Sequence, residues 1–395
     1  MKTIERHRYL EKLQNLRGTP DIKVITGVRR AGKSKLMEAF RNRIFQEGNV
    51  HVVYIDFNNL DFEPLLDYHA LHTYIREHFD SSRENVLMID EVQECKGFEK
   101  VINSLNAAGQ YDIYLTGSNA FLLSSDLATL FTGRQIEIPV YPFSFSEYLD
   151  YWGRDDLQRK FEQYLVDGGL AGSYLYKTSQ DRTRYVKEVF ETILTRDLVQ
   201  KYDLKESSLL WHLAEYLMDN VANLTNPNRT SETLAQNKIA TNHVTASNYM
   251  DFLTRAFLFY PVKRYDIRGK RYLETSEKYY LADLGFRYAE LGTRNMDFGR
   301  AYENLVLLEL YRRDYEVYIG KLYQKEIDFI ALRGGEKMYI QVSDDISTPD
   351  TLSRETDPLL KIRDAYPKIL LARTRKPPYD FNGIRVLDLA EWMAE

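Results

Sequence analysis

The feature that most constrains this chain is residues 27–34, which read Gly-Val-Arg-Arg-Ala-Gly-Lys-Ser. They match the pattern G-x-x-x-x-G-K-S/T, whose glycines let successive backbone N–H groups curl around phosphates. An apolar strand pattern at 22–26 precedes this loop, and good helix formers at 35–40 follow it. That order points the positive end of a helix dipole at the phosphates. The sequence therefore predicts an α/β fold built on a parallel P-loop sheet.

The residues of this phosphate loop have separate expected tasks. The ammonium of Lys33 is expected to reach the terminal phosphates, and the hydroxyl of Ser34 is expected to ligate Mg²⁺. ATP and Mg²⁺ are therefore the expected cofactors. The other residues expected to contact the nucleotide are Gly27, Val28, Arg29, Arg30, Ala31, Gly32 and Lys35.

A second strand pattern, 86–89, ends in the two carboxylates of Asp90 and Glu91. In P-loop ATPases an acid at the end of such a strand holds Mg²⁺ through water, which assigns Asp90 to the metal. The adjacent Glu91 is then expected to act as the base that polarises the attacking water. Together with the phosphate loop, this pair predicts hydrolysis as well as binding.

A third strand pattern, 111–115, is followed by small polar residues. We expect this strand to lie beside the strand of Asp90, so that Thr116, Ser118 or Asn119 senses the γ-phosphate or orients the water. Ser and Asn are also favoured helix caps, so these residues have a purely structural alternative. The two interpretations are compatible.

Arg134 precedes a further strand pattern, 136–140. It is a candidate arginine finger that reaches the γ-phosphate of a neighbouring subunit. An isolated arginine is more often a surface charge or a salt-bridge partner. The sequence leaves both alternatives open.

Five segments together resemble one group of proteins: 27–34, 89–93, 115–119, 132–134 and 141–147. They are similar to prokaryotic AAA-type ATPases that carry an uncharacterised C-terminal domain. The resemblance continues through 167–170, 326–329 and 339–343, and so covers nearly the whole chain. It implies an ATPase, and it does not imply a particular substrate.

Composition is consistent with a folded, soluble, cytoplasmic protein. The chain has 395 residues, of which 44% are hydrophobic, enough to build two or three domain cores. Its one cysteine, Cys95, excludes an internal disulfide framework. The charged start is unlike a signal sequence, and no apolar run is long enough to span a bilayer. Because the formal net charge is −5, any affinity for nucleic acid must come from a local patch.

We predict three parts. Residues 1–150 form the AAA-type ATPase domain, in which strands alternate with helices. Residues 151–290 form a helical, winged-helix-like module, because their apolar residues recur at helical intervals. Residues 291–395 form a small α/β domain that resembles restriction endonucleases.

The middle part contains a helix, a second helix and a two-stranded ribbon, which is the winged-helix order. The ribbon has five basic residues against one acid, Asp266, namely Lys263, Arg264, Arg268, Lys270 and Arg271. These side chains are candidate contacts to a DNA backbone. The alternative is that the module contacts an unknown protein partner or another copy of the chain.

The last part places Glu303 on a helix, Asp328 on a strand and Gln341 on the next strand. Such an arrangement resembles a nuclease core, whose carboxylates converge on Mg²⁺ beside a lysine. The expected acid-x-Lys is replaced by Gln341, Val342 and Ser343. We therefore expect a nuclease-like fold without the activity.

The combined prediction is an ATPase that couples nucleotide turnover to the engagement of a protein or DNA partner by its C-terminal parts. Two alternatives remain. One is a slow nucleotide-dependent switch that acts as a binding module. The other is a DNA-processing nuclease gated by ATP.

Overall fold

The structure is a computed structural model that describes residues 4–117, 131, 133–269, 271–293 and 296–395. The chain forms two compact units, Met1–Val140 and Tyr141–Glu395, called here the N-terminal unit and the C-terminal unit. The predicted three-part division of the chain stays a prediction.

The N-terminal unit contains a five-stranded sheet in which every pair of neighbouring strands is parallel. The strands are β1 (Ile22–Thr26), β2 (Val50–Asp56), β3 (Glu84–Asp90), β4 (Asp112–Thr116) and β5 (Gln135–Pro139), in the order β2-β3-β4-β1-β5. The expectation that the third predicted strand lies beside the strand of Asp90 is confirmed, because β4 pairs with β3. It also pairs with β1, the strand that leads into the phosphate loop.

The described helices of this unit are α1 (His7–Leu16), α2 (Lys33–Phe45), α3 (Tyr68–Glu77) and α4 (Phe98–Ala108), with 3₁₀ turns at Leu60–Leu66 and Val92–Glu94. Apolar side chains of α3 and α4 pack with those of β1, β3 and β4 in one core cluster. Leu10 and Leu13 of α1 are also buried, and α1 contacts α2. The loop that follows β1 therefore extends from a strand whose apolar side chains are buried in this core.

The C-terminal unit begins with helices. Its helices are α5 (Phe145–Trp152), α6 (Leu157–Asp167), α7 (Ser179–Thr192), α8 (Ser207–Asp219), α9 (Pro227–Gln236), α10 (His243–Arg255), α11 (Leu284–Leu291), α12 (Phe298–Arg312), α13 (Pro349–Leu360) and α14 (Leu389–Ala394). A π-helical segment, Ile193–Gln200, continues α7. A 3₁₀ turn at Ala171–Leu175 follows α6.

One nine-stranded sheet runs through the C-terminal unit. Its strands are β6 (Leu224–Thr225), β7 (Phe259–Asp266), β8 (Arg271–Leu281), β9 (Glu316–Leu322), β10 (Lys325–Arg333), β11 (Glu336–Ser343), β12 (Lys368–Ala372), β13 (Tyr379–Phe381) and β14 (Ile384–Asp388). The order is β13-β14-β12-β11-β10-β9-β7-β8-β6. Because β7 pairs in parallel with β9, strands from the second and third predicted parts share this sheet.

The helix, helix and ribbon expected in the middle part are present as α9, α10, β7 and β8. The first of these helices, α9, begins at Pro227. The reason is local, because proline is well suited to the first helical position and Asn226 caps the helix by accepting the backbone N–H of Arg229. Similarly, Asn242 caps α10 by accepting two backbone N–H groups, so this side chain has a structural role.

Candidate active site

The phosphate loop connects β1 to α2, and its two glycines have different reasons to be glycine. Gly27 has φ +135°, and a Cβ there would lie 2.1 Å from the carbonyl oxygen of Val140. No side chain fits at that position. Gly32 has φ +97°, in the left-handed region, and it is the residue from which α2 begins. The loop can therefore turn tightly and present its backbone N–H groups at the start of the helix.

Lys33 is the first residue of α2, and its side chain folds back over the loop. The Nζ atom donates to the carbonyl oxygens of Gly27, at 2.8 Å, and Val28, at 3.1 Å. The residue is only 5% exposed. A buried ammonium inside a ring of backbone groups is suited to the charge of a terminal phosphate.

The other loop residues differ in exposure. Val28 and Ala31 are buried, whereas Arg30 is exposed and has φ +67°. The side chain of Lys35 is on the surface of α2, where it pairs with Glu38 at 2.5 Å. Contacts of these residues and of Arg29 with a nucleotide stay predictions.

Asp90 ends β3 and is 1% exposed. Its carboxylate accepts a hydrogen bond from the hydroxyl of Thr116, and the hydroxyl of Ser34 lies near enough to stabilise its charge. Burial raises the pKa of Asp90, the two hydroxyls lower it, and the charges of Glu91 and Asp56 raise it further, with a net rise. The fold thus brings together Ser34 and Asp90, the two predicted metal-side residues. Hydroxyl and carboxylate oxygens are the ligands that Mg²⁺ prefers.

Glu91 has φ +54° and ψ +49°, a left-handed conformation that is uncommon for a residue other than glycine. Such a conformation costs on the order of 1–3 kcal/mol and is found mainly at functional sites. Its backbone N–H donates to Thr116 Oγ1 at 3.1 Å, and its carboxylate accepts a hydrogen bond from Gln93 Nε2. Gln93 is a candidate positioning residue for the base. In the sequence it was only part of the family motif.

Thr116 is the described member of the three γ-phosphate candidates. Its Oγ1 atom donates to Asp90 and accepts from the backbone of Glu91, so one hydroxyl connects the metal-side acid to the predicted base. Ser118 and Asn119 lie outside the described residues. Their predicted roles stay predictions.

Arg134 is exposed and comes immediately before β5. Its carbonyl oxygen accepts the N–H of Ile22 at 2.9 Å, at the amino end of β1. The phosphate loop follows the carboxyl end of the same strand, about 13 Å away at roughly 3.3 Å per residue. In its own subunit Arg134 is therefore at the opposite end of the strands from the loop, so a finger role requires a second copy.

The basic ribbon is the β7–β8 hairpin. Lys263, Arg268 and Arg271 are exposed, Arg264 is partly exposed, and Lys270 lies outside the described residues. The carboxylate of Asp266 accepts the backbone N–H groups of Arg268 and Gly269, which fixes the turn. The guanidinium of Arg268 lies over the ring of Tyr323, 5.0 Å from its centroid.

The three predicted nuclease-like residues, Glu303, Asp328 and Gln341, are all buried. The fold adds a residue that the sequence analysis missed, because Lys278 of β8 forms an ion pair with Glu303. The basic residues predicted for the ribbon end at Arg271, before Lys278. Nothing in the local sequence connects this lysine with Glu303. Within the described part of the chain, no group of three His, Cys, Asp or Glu side chains is placed to hold a metal ion.

These features define the class. A five-stranded parallel sheet, a phosphate loop between β1 and α2, and an acid pair at the end of β3 form an AAA-type P-loop ATPase fold. Residues 19–149 match the AAA domain family, and residues 158–297 match a domain family of unknown function. Among the helices of the described residues, none has the length and apolarity needed to cross a membrane.

The chain is 38% identical over 399 residues to an uncharacterised protein of Haemophilus influenzae, and the alignment covers 99% of both chains. It therefore belongs to the same family as that protein. It is also 25% identical over 336 residues to an uncharacterised protein of Methanocaldococcus jannaschii, covering 81% of this chain and 74% of the other. A solved Walker-type ATPase of Pyrococcus abyssi is 18% identical, with 73% and 95% of the two chains covered and a TM-score of 0.45.

Proposed function

We propose that this protein binds MgATP at the phosphate loop, hydrolyses it, and couples turnover to engagement of a protein or DNA partner by its C-terminal unit. The observation that supports hydrolysis best is the contact of Asp90 with both Ser34 and Thr116. It joins the loop, the acid pair and β4 in one polar cluster. A site for binding alone would not need a base beside the metal-side acid.

In this mechanism the residues of the site have distinct roles. Lys33 neutralises the β- and γ-phosphates. Ser34 and, through water, Asp90 would hold Mg²⁺, which would supply charge stabilisation. Glu91 accepts the proton of a water whose oxygen attacks the γ-phosphorus. The bond between that phosphorus and the β,γ-bridging oxygen breaks, and ADP and phosphate leave. The hydroxyl of Thr116 keeps Asp90 and Glu91 in position relative to each other during this step.

The DNA alternative for the partner is supported by the arrangement of the middle part. The order α8, β6, α9, α10, β7 and β8, with β6 paired to β8, is the order of a winged helix. The exposed basic side chains of the hairpin provide local positive charge on a chain whose net charge is −5. The same surface fits an acidic protein partner, and a homo-oligomer would supply Arg134 in trans.

The test is ATP turnover by the purified protein with and without duplex DNA. Replacing Lys33 by Ala should abolish tight ATP binding, because the phosphate charge loses its partner. The matched control is Arg43→Ala, an exposed cation near the end of the same helix. ATP turnover that rises when DNA is added would support a DNA partner. ATP turnover that does not change with DNA would favour a protein partner. Tight binding without any turnover would favour the nucleotide-switch alternative.

A further inference from the structure

A buried cluster of charged side chains lies in the C-terminal unit, where β8, α12 and β10 meet. Lys278 is 4% exposed, and its Nζ atom lies 2.8 Å from Glu303 Oε1 and 2.7 Å from Glu326 Oε1. Glu303 also accepts a hydrogen bond from the hydroxyl of Tyr280. One ammonium is thus shared by two carboxylates from two different elements.

Asp328 is the third carboxylate of this cluster. One of its oxygens accepts the backbone N–H of Val342 at 2.8 Å, which ties β10 to β11 beside Gln341. The residue is 7% exposed. The backbone contact fixes the position of this carboxyl group, but it does not neutralise a charge.

The electrostatics of the cluster depend on Lys278. Burial alone would lower the pKa of its ammonium, but the charges of Glu303, Asp328 and Glu326 outweigh burial and raise it. Burial and the charge of Glu303 raise the pKa of Asp328 well above its usual range, and Lys278 acts in the opposite direction. The lysine is therefore the cation that offsets the burial of Glu303 and Asp328, and it also pairs with the partly exposed Glu326.

The elements around the cluster follow the order α12, β9, β10, β11, α13 and β12. Within this order, Glu303 on a helix, Asp328 on a strand and Gln341 on the next strand form the arrangement that resembles a nuclease core, in which carboxylates converge on Mg²⁺. In this chain an ammonium lies between two of these carboxylates, Glu303 and Glu326.

We propose that the ammonium of Lys278 takes the place of a divalent cation, so that this nuclease-like scaffold is balanced in charge without a metal. It follows that the natural protein binds no metal at this cluster and cleaves no DNA there. Removing the ammonium leaves the carboxyl groups of Glu303, Glu326 and Asp328 without that cation. Oxygen ligands of this kind suit Mg²⁺ or Mn²⁺.

The experiment compares Lys278→Met, which keeps length but removes charge, with Lys278→Arg, which keeps the charge. All proteins carry Asp90→Asn and are free of nucleotide, so that the ATPase site does not contribute. Mn²⁺ binding is followed by electron paramagnetic resonance, and thermal stability is measured with Mn²⁺ and with a chelator. We expect Lys278→Met to bind one Mn²⁺ and to gain several degrees in melting temperature. The Lys278→Arg protein and the Lys278 parent should show neither effect.

A second variant locates the bound ion. Adding Glu303→Gln to Lys278→Met should weaken Mn²⁺ binding by at least about tenfold, as loss of one carboxylate ligand implies. The inference is wrong if Lys278→Met binds no Mn²⁺, or remains insoluble when Mn²⁺ is supplied. It is equally wrong if the Lys278 parent binds Mn²⁺, or cleaves DNA with it, in a manner that Glu303→Gln abolishes.

Discussion

Asp283 shows at the residue scale how one buried charge constrains its neighbours. Its two oxygens accept the backbone N–H groups of Gly169 and Gly285, each at 2.7 Å. A Cβ on Gly168 would lie 1.9 Å from the same carboxylate. The Asp-Gly-Gly-Leu segment at 167–170, first noticed as a family motif, therefore has a physical reason to contain glycine.

The charge of Asp283 predicts a pH dependence of stability. Burial raises its pKa to about 6, although backbone hydrogen bonds oppose the rise. The unfolded value is about 3.9, so between about pH 4 and about pH 6 the folded state holds more protons than the unfolded state. Stability should therefore fall as pH rises through this window, by at most about 1.4 kcal/mol per pH unit, and level off above it.

Urea unfolding of the natural protein and Asp283→Asn across this range isolates the effect, because other groups titrate in both proteins. We expect the difference in unfolding free energy, natural protein minus variant, to decrease with rising pH. Parallel curves would show that Asp283 does not titrate in this window.

At the element scale, the β7–β8 hairpin is not a free ribbon. One strand, β7, pairs with β8 on one side and with β9 on the other, so only the turn and the outward side chains can meet a partner. Tyr265 and Tyr318 on neighbouring strands pack against the apolar cluster of the C-terminal sheet. Any contact with DNA must therefore be made at the tip and along the exposed basic side chains.

If this hairpin contacts a DNA backbone, DNA binding should weaken steeply as the salt concentration rises. The slope of log binding constant against log salt concentration should be roughly −0.9 per phosphate neutralised. Replacing Arg268, Lys270 and Arg271 by Ala should make that slope shallower by about 3 if each contacts one phosphate. ATP hydrolysis without DNA should not change.

The matched control removes three exposed cations elsewhere in the C-terminal unit, Arg363, Lys376 and Arg385. Binding titrations at several salt concentrations, beside sedimentation, distinguish the alternatives. No DNA binding by the natural protein at low salt would end the DNA interpretation. A change of assembly alone would assign the hairpin to a protein contact.

The sequence predicted the elements well where local pattern determines them. The strands around the phosphate loop and the helix after it are local, and the acid pair follows directly from a buried strand. The parallel pairing of β7 with β9 joins residues far apart in the chain, and no periodicity predicts such a pairing. For the same reason the Lys278–Glu303 pair could not be predicted, since it depends on tertiary packing. The contact of the Glu91 backbone with Thr116 is likewise tertiary, since it joins residues of two different strands' ends.

At the scale of the whole molecule, the position of Arg134 makes the quaternary state important. If Arg134 acts across an interface, Arg134→Ala should bind ATP normally and turn it over slowly. Mixing this variant with Glu91→Gln should restore part of the activity, because one interface then joins an intact base to an intact finger. Turnover of the mixture is the measurement. Mixtures as inactive as their components, despite proven subunit exchange, would assign Arg134 to the surface.

The proposal that Glu91 activates water for ATP hydrolysis is tested by comparing Glu91→Gln with the natural protein and with a control variant. ATP binding and steady-state turnover are measured for the natural protein, for Glu91→Gln, and for Glu94→Gln, an exposed carboxylate three residues further along the chain. We predict that Glu91→Gln binds ATP with nearly natural affinity and loses at least about 100-fold in turnover, because only proton acceptance is removed. Glu94→Gln should be unchanged in both. Turnover of Glu91→Gln at the natural rate would contradict the assignment of the base.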